Sequence, residues 1–325
     1  MWLITGGSGF IGTNLAKFLM ERDFDFKIYD MNKSKYLPKN VKVTLGDIRD
    51  KTKLSKAMKG CDVVFHLATV PPSLKLSDQE IYDIDVNGTR NILLTAEKNK
   101  VKKVIFTSSA SHVYGLVDKN LCPIKEDCKL NPINEYGKNK VLAERLCKQT
   151  SERTNLQVIA LRLSMVLGPY DFDPILLENM ASLFKNKRVI IPGDGKSKNQ
   201  SVHVNDVNTA LLACAEASNV SLPKYDVFNI SGKEVLTINE FMELSRKLVG
   251  SSSNVVHLPL PLVKNMVHIA WLLNRTKIHP SYLDLMAQDQ FFDISKAKRV
   301  LGWAPKYKLT EALKETITFL KDEYL

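Results

Sequence analysis

The chain has 325 residues, 44% of them hydrophobic and 25% charged, and its 46 basic and 35 acidic side chains leave a net charge of +11. This balance excludes disordered and fibrous classes and gives length for about two domains, each with its own core. A positive excess raises the question of nucleic acid, but no lysine block interleaved with aromatic residues is present, so no nucleic-acid partner is expected.

In chain order, the first half alternates short β-branched runs with amphipathic stretches. Trp2–Thr5, Lys27–Tyr29, Val41–Leu45, Val63–Leu67, Val104–Ser108 and Val158–Leu163 read as strands. Gly12–Arg22, Asp85–Lys98 and Glu135–Arg153 read as helices between them. Strands alternating with helices predict right-handed crossovers and an α/β, doubly wound Rossmann-type parallel sheet covered on both faces. The second half is looser, with Gly168-Pro169 and Pro192-Gly193-Asp194-Gly195 in loops and helices at Val204–Ala217, Ile238–Val249 and after Thr310. Thr237 and Glu240 form a candidate capping box for the second of these. With no linker or repeat, the division predicted is interleaved: residues 1–165 and 202–231 bind the dinucleotide, and 166–201 and 232–325 form a smaller substrate domain.

Cys61, Cys122, Cys128, Cys147 and Cys214 are odd in number and include no C-x-x-C pair, which predicts free thiols in a reducing, cytoplasmic compartment and no metal site. The first apolar run, Met1–Thr5, is too short for a signal peptide. The most apolar later stretch, Leu258–Leu273, is interrupted by Pro259, Pro261 and Lys264, so no membrane insertion is expected. Its Leu258–Val263 patch and Val267–Leu273 helix are expected to pack in the core, with the shaping of a hydrophobic substrate pocket as the alternative.

Directly after the first strand stands Thr5-Gly6-Gly7-Ser8-Gly9-Phe10-Ile11-Gly12. Gly6 and Gly9 let the backbone turn tightly and approach a pyrophosphate, the helix start at Phe10 and Ile11 favours its charge, and Gly12 permits close helix–strand packing. The second strand ends at Asp30, where a carboxylate can accept both hydroxyls of an adenosine ribose and repel a 2′-phosphate. That favours NAD; Lys33 and Lys35 close behind leave NADP open.

Tyr136 and Lys140 stand four apart in a helical stretch and share one face. A neighbouring ammonium would lower a phenol from its usual value near 10 and make it a base useful near neutrality. Tyr29 and Lys33 have the same spacing but straddle a strand end. What distinguishes Tyr136 is the hydroxyl-rich run Thr107-Ser108-Ser109-Ala110-Ser111 at the carboxyl end of an earlier strand, where ligands of open α/β sheets bind. Ser109 is placed to hold a substrate oxygen for proton transfer.

Together these residues resemble the extended short-chain dehydrogenase/reductase superfamily, the NAD-dependent epimerase/dehydratase group with its 3β-hydroxysteroid-dehydrogenase-like relatives. The resemblance runs on through Gly46-Asp47-Ile48, His66-Leu67-Ala68, Val86-Asn87-Gly88-Thr89, Thr107 to Gly115, Arg162 to Pro169, Val202 to Val207, Phe228 to Gly232 and Asp293 to Pro305. It implies that Asp47 and Ile48 contact adenine, that Leu67, Ala68, Tyr136, Lys140 and Leu163 belong to the cofactor site, and that Lys140 binds the nicotinamide ribose. It further implies Tyr136 as acid/base and Ser109 as the polarising hydroxyl, with Ser108 and Ser111 as alternatives, and a homodimer through the helices after Asp85 and Glu135.

Departures narrow the reaction. Ala110 and Ser111 occupy the places where sugar dehydratases of the family carry an acidic pair, so dehydration is not expected. Met165 and Asn199 stand where nucleotide-sugar members often have the asparagine and arginine of a diphosphate site. The Ser108–Ser111 run and Phe291-Phe292-Asp293 resemble the hydroxysteroid-dehydrogenase-like branch. The expected function is an NAD-dependent oxidoreductase or epimerase acting on a secondary alcohol or ketone, with a nucleotide-sugar epimerase or 4-ketoreductase leading. The alternatives are a ketone reductase on a hydrophobic substrate and a non-catalytic NAD-binding regulator. His66, His203 and Trp303 are expected to be structural.

Overall fold

The computed structural model describes residues 1–324 apart from 71–73, 172–173, 186–187 and 219–221. Among these, twelve strands follow one another along the chain: β1 (Trp2–Thr5), β2 (Phe26–Asp30), β3 (Val43–Leu45), β4 (Val63–His66), β5 (Lys103–Ser109), β6 (Gln157–Leu163), β7 (Met165–Leu167), β8 (Val189–Pro192), β9 (Lys198–His203), β10 (Tyr225–Ile230), β11 (Val235–Thr237) and β12 (Val255–Leu258). Seven form one parallel sheet in the order β10-β6-β5-β4-β1-β2-β3. The order reverses between β1 and β4, and the crevice at the carboxyl ends of such a pair is where ligands of doubly wound sheets bind. Thr5 is in register with His66, and Ser109 with Leu163, so the motif residues arrive at one edge.

The strands read as continuous apolar runs because both faces are covered. Ile4, Ile28, Phe65, Ile105 and Leu161 enter one buried cluster with Leu15 and Leu19 of the helix Phe10–Met20 and with Val207 and Leu211 of the helix Val204–Glu216. Their neighbours Leu3, Tyr29, Val64, Val104 and Ala160 point the other way, against Ile92 of the helix Gly88–Lys98 and Ala143 of the helix Glu135–Arg153. Alternation along each strand thus builds two cores from one sheet.

The second half forms a three-stranded sheet, β11-β9-β7, and a parallel pair, β12 with β8. These short strands carry no clear alternation, and the sequence led to no expectation of a strand at any of them. Their core joins Val189 and Ile191 to Met242 of the helix Ile238–Val249 and to Leu313 and Leu320 of the helix Leu309–Tyr324. The predicted capping box is present: Thr237 accepts from the Glu240 N–H while Glu240 reaches back to Thr237, and Gly250 ends the helix at φ +71°. His203 caps the helix Val204–Glu216 by accepting from the Asn205 N–H at 2.9 Å, and the Trp303 indole donates to the Asp206 carbonyl at 3.0 Å. Both are structural, as expected.

The apolar stretch after β12 departs from expectation. Leu260–Leu272 is a single helix, and Val263 is its only buried residue; it contributes to none of the four buried clusters. Pro261 sits in its first turn, where a missing N–H costs nothing, so the helix tolerates the proline that made the stretch look irregular. Composition had suggested a core segment; orientation makes it a surface one.

Candidate active site

The glycine loop links β1 to the helix Phe10–Met20. Gly6 has φ +70°, and a Cβ there would lie 2.5 Å from the Ala68 amide nitrogen. A Cβ on Gly12 would lie 2.3 Å from the Gly6 carbonyl oxygen. Both contacts are with backbone, which has no rotamer to yield. Gly9 is less constrained, with a Cβ 3.3 Å from the Gly6 oxygen. The turn leaves the first N–H groups of the helix, those of Phe10, Ile11 and Gly12, without intrahelical partners. We predict that Gly12→Ala opens the loop and lowers NAD affinity at least about tenfold with the fold retained, measured by equilibrium dialysis and thermal unfolding.

Asp30 closes the other side. Its carboxylate accepts from the Ser8 N–H at 2.9 Å and the Asn32 N–H at 3.0 Å, and the Ser8 hydroxyl donates to the Asn32 carbonyl at 2.6 Å. The acid and the loop are therefore one unit. Lys35 is directed elsewhere, in an ion pair with Glu323 at 2.8 Å, which removes one of the two cations that favoured a 2′-phosphate. Asp47 is clasped by Arg49 at 2.6 Å, which holds its carboxyl below the usual carboxylate range, while its carbonyl accepts from the Tyr29 hydroxyl at 2.8 Å. Ile48 packs where a Cβ on Gly88 would stand, and Leu67, Ala68 and Leu163 lie at the ends of β4 and β6. These residues lie together at the carboxyl ends of β1, β2, β3, β4 and β6, with the acid Asp30 beside the glycine loop.

Tyr136 and Lys140 do share a face, in the first turns of the helix Glu135–Arg153, which Asn134 caps through the Gly137 N–H at 2.8 Å. The Tyr136 phenol lies within reach of the Ser109 and Thr69 hydroxyls, which favour its ionised form. Of the three candidate serines, Ser109 is thus the one beside the phenol; the Ser108 hydroxyl is buried and has no hydrogen-bond partner. Lys140 is buried, donates to the Thr107 carbonyl at 3.0 Å, and stands 5.6 Å from the centre of the Tyr136 ring. The electrostatics correct one expectation. Burial pushes the Tyr136 phenol up, and the negative charge of Asp85 pushes it further, so proximity to lysine does not give a low value here.

Asp85 was not legible in the sequence. It lies in a π-helical turn, Asp83–Asn87, ahead of the helix Gly88–Lys98, and is 4% exposed. Its Oδ1 accepts from the Thr69 hydroxyl and the Val70 N–H, both at 2.9 Å, while Oδ2 has no hydrogen-bond partner. Burial raises its carboxyl and the Lys140 ammonium lowers it. Thr69 therefore stands between the phenol and a buried acid. His112 is a second unforeseen neighbour, edge-on to Tyr136 at 4.9 Å and bonded to the Ser109 hydroxyl at 3.0 Å. Burial lowers it to about 4, which keeps it neutral. His66 is structural, between Thr5 and Thr89 at 2.9 and 3.0 Å, and burial lowers it to about 3.

Tyr136 opens into a cavity of about 650 Å³ whose lining includes Val70, Leu74, Lys75, Trp271, Leu272 and Tyr282. Behind the site, Arg162 and Glu144 form a buried pair at 2.7 Å, and Arg162 also donates to the Tyr114 hydroxyl at 2.9 Å.

A doubly wound parallel sheet with a glycine loop after its first strand is the frame of a dinucleotide-binding protein. Residues 2–231 match the model of the NAD dependent epimerase/dehydratase family, and the chain belongs to that family. It is an NAD-dependent enzyme of the extended short-chain type. It is 30% identical over 334 residues to a putative UDP-glucose 4-epimerase of Methanocaldococcus jannaschii, covering 99% of both chains. It is 27% identical to the sterol-4-alpha-carboxylate 3-dehydrogenase, decarboxylating, of Mus musculus, covering 97% of this chain and 89% of that one. Among solved structures, a UDP-glucose 4-epimerase from Thermotoga maritima with UDP-glucose superposes with a TM-score of 0.82 at 26% identity, covering 99% of this chain and 98% of that one.

Proposed function

We propose that the protein interconverts a secondary alcohol and its ketone, with Tyr136, Ser109 and Lys140 as the catalytic residues. The observation that carries the reading is the convergence of the Tyr136 phenol, the Ser109 hydroxyl and the Lys140 ammonium at the carboxyl edge of the sheet, beside the Gly6–Gly12 cradle. NAD held there by Gly6, Gly9, Phe10, Ile11, Gly12, Asp30, Asp47, Ile48, Leu67, Ala68 and Leu163 supplies the acceptor and donor of hydride. Ser109 donates a hydrogen bond to the substrate oxygen and fixes it against the phenol. Tyr136, kept protonated by burial and by Asp85, gives its proton to that oxygen in reduction and takes it back in oxidation. Lys140, anchored on the Thr107 carbonyl, supplies positive charge without moving.

After burial, the negative charge of Asp85 is the next cause that raises the Tyr136 phenol. Replacing Asp85 with asparagine removes a negative charge, stabilises the phenolate and lowers the Tyr136 value. The rate of alcohol oxidation by Asp85→Asn is therefore expected to rise with pH at a lower pH than in the wild type. An unshifted profile contradicts this role.

Two substrate classes have specific support. Kinship with UDP-glucose 4-epimerases favours a nucleotide sugar, epimerised or reduced at a keto carbon. The apolar side of the cavity, with Leu74, Trp271 and Leu272, favours a hydrophobic alcohol or ketone, in keeping with the sterol-dehydrogenase relative. Deuterium transfer from C4-deuterated reduced nicotinamide into ketones of each class, in the wild type and in Tyr136→Phe, tests the reading. We also propose the interleaved division into a dinucleotide-binding unit, 1–165 and 202–231, and a substrate unit, 166–201 and 232–325, supported by the assignment of β10 to the large sheet. The homodimer through the helices Gly88–Lys98 and Glu135–Arg153 is proposed likewise, supported by the exposed Leu94.

A further inference from the structure

The helix Leu260–Leu272 turns its apolar residues away from the protein. Leu262, Met266, Ile269 and Leu273 repeat at the spacing of one helical face, and they are 48%, 47%, 57% and 60% exposed. Leu272, 60% exposed, stands at the edge of this face. Soluble proteins expose apolar residues singly as a rule; a contiguous row on one face marks a surface that something covers.

Two further observations name what covers it. First, the chain contains no aspartate or glutamate between Glu243 and Asp284, while Arg246, Lys247, Lys264, Arg275 and Lys277 lie in that interval. Lys264 is neutralised by Asp284 at 2.9 Å, but Arg275 and Lys277 are exposed just past the helix. An apolar helical face with cations at its end is the composition that binds an anionic lipid surface, apolar side down; the acids nearby are Asp284, paired with Lys264, and Asp78 and Glu135 of the cavity lining, of which Glu135 is paired with Lys138. Second, the patch is continuous with the active site. Trp271 and Leu272 line the cavity that reaches Tyr136, and Lys75 ties the helix to the cavity rim by donating to the Trp271 carbonyl at 2.6 Å and to Asn274 at 2.5 Å. Its ammonium also sits 4.7 Å above the Trp271 ring. At 13 residues the helix is too short to span a bilayer, and no helix among the described residues is long and apolar enough to do so. A helix of this length meets a bilayer by lying in the plane of its interface.

We propose that the helix Leu260–Leu272, with Leu273, seats the protein on an anionic lipid surface and turns the mouth of the Tyr136 cavity toward it, so that the reacting alcohol or ketone is the polar end of a membrane-held lipid. This rests on the hydrophobic-substrate form of the proposed function. The apolar part of such a substrate stays in the lipid while its polar end passes Leu272 and Trp271 to reach Tyr136 and Ser109. A second copy of the chain is the competing occupant of the patch.

The test is flotation of the full chain with vesicles of phosphatidylcholine containing phosphatidylglycerol, compared with vesicles of phosphatidylcholine alone. The wild type is expected to float with the anionic vesicles and to be released as salt is raised. Met266→Glu/Ile269→Glu is expected to reduce partition at least about tenfold, and Arg275→Glu to weaken the preference for the anionic vesicles. Both variants alter exposed side chains and are expected to keep wild-type NAD affinity and thermal unfolding. Wild-type protein that stays in solution, or a double variant that floats as well as wild type, overturns the proposal. So does a double variant whose only change is conversion of a dimer to a monomer in sedimentation equilibrium. Tyr136→Phe should float normally while losing turnover. Failed flotation with Tyr136-dependent turnover of a soluble ketone therefore defeats docking alone, and normal flotation with turnover independent of Tyr136 defeats the catalytic reading alone.

Discussion

Tyr136→Phe is expected to lower turnover about 100- to 10,000-fold, the range typical of removing a positioned general acid or base. The substitution deletes one oxygen and leaves the ring, so its packing edge-on to His112 at 4.9 Å persists. The cradle is built by Gly6, Gly12 and Asp30 on other elements, and NAD affinity and thermal stability should therefore stay at wild-type values. The measurement is initial rate under saturating cofactor, with affinity and unfolding determined on the same preparation. Unchanged turnover removes Tyr136 from the chemistry.

The second large effect is structural. Arg162→Met leaves the Glu144 carboxylate buried beside β6 without its guanidinium, and removing one partner of such a pair costs about 3–5 kcal/mol. It also strips a donor from the Tyr114 hydroxyl, which bonds Asn229 of β10 at 2.8 Å, and so loosens the far edge of the large sheet. Replacing both members, Arg162→Met with Glu144→Met, should recover much of the loss, because no charge is then left unpaired in the interior. Equilibrium denaturation of the single and double variants checks this. A double variant no more stable than Arg162→Met would mean that the pair contributes through packing.

The part of the site that the sequence disclosed is the part set by short-range spacing. Gly6 and Gly12 were readable because the backbone contacts that demand glycine arise within one turn of strand, loop and helix. Tyr136 and Lys140 were readable because four residues bring two side chains to one helical face. Asp85, Thr69 and His112 were not, since each reaches the phenol from a different element and only the closed sheet brings them together. Asp85 in particular carries no pattern in Ile84-Asp85-Val86; its meaning lies in an orphaned oxygen at 4% exposure. The same limit explains the phenol. Spacing placed an ammonium near it, but burial, a property of the whole fold, sets the direction of its shift.

For the fold, six of the seven strands of the large sheet were legible because strands buried on both faces read as unbroken apolar runs; β10, with Asp226 and Asn229 in its course, was not expected as a strand. The three- and four-residue strands β7, β8, β11 and β12 were not, because such short segments leave no period to detect. Leu260–Leu272 illustrates the remaining ambiguity. Hydrophobic content reveals that a helix has an apolar face, and only packing tells whether that face meets a core or looks outward.

The most direct measurement of the central claim is hydride transfer dependent on Tyr136. Reduced nicotinamide carrying deuterium at C4 is incubated with the protein and with 4-keto UDP-sugars or with keto sterols presented in anionic vesicles, and the product carbinol is analysed by mass spectrometry. The account predicts deuterium at the carbinol carbon with at least one of the two classes, and its loss by about two orders of magnitude or more in Tyr136→Phe. Transfer undiminished in Tyr136→Phe, or no transfer to either class by the wild type, would contradict it.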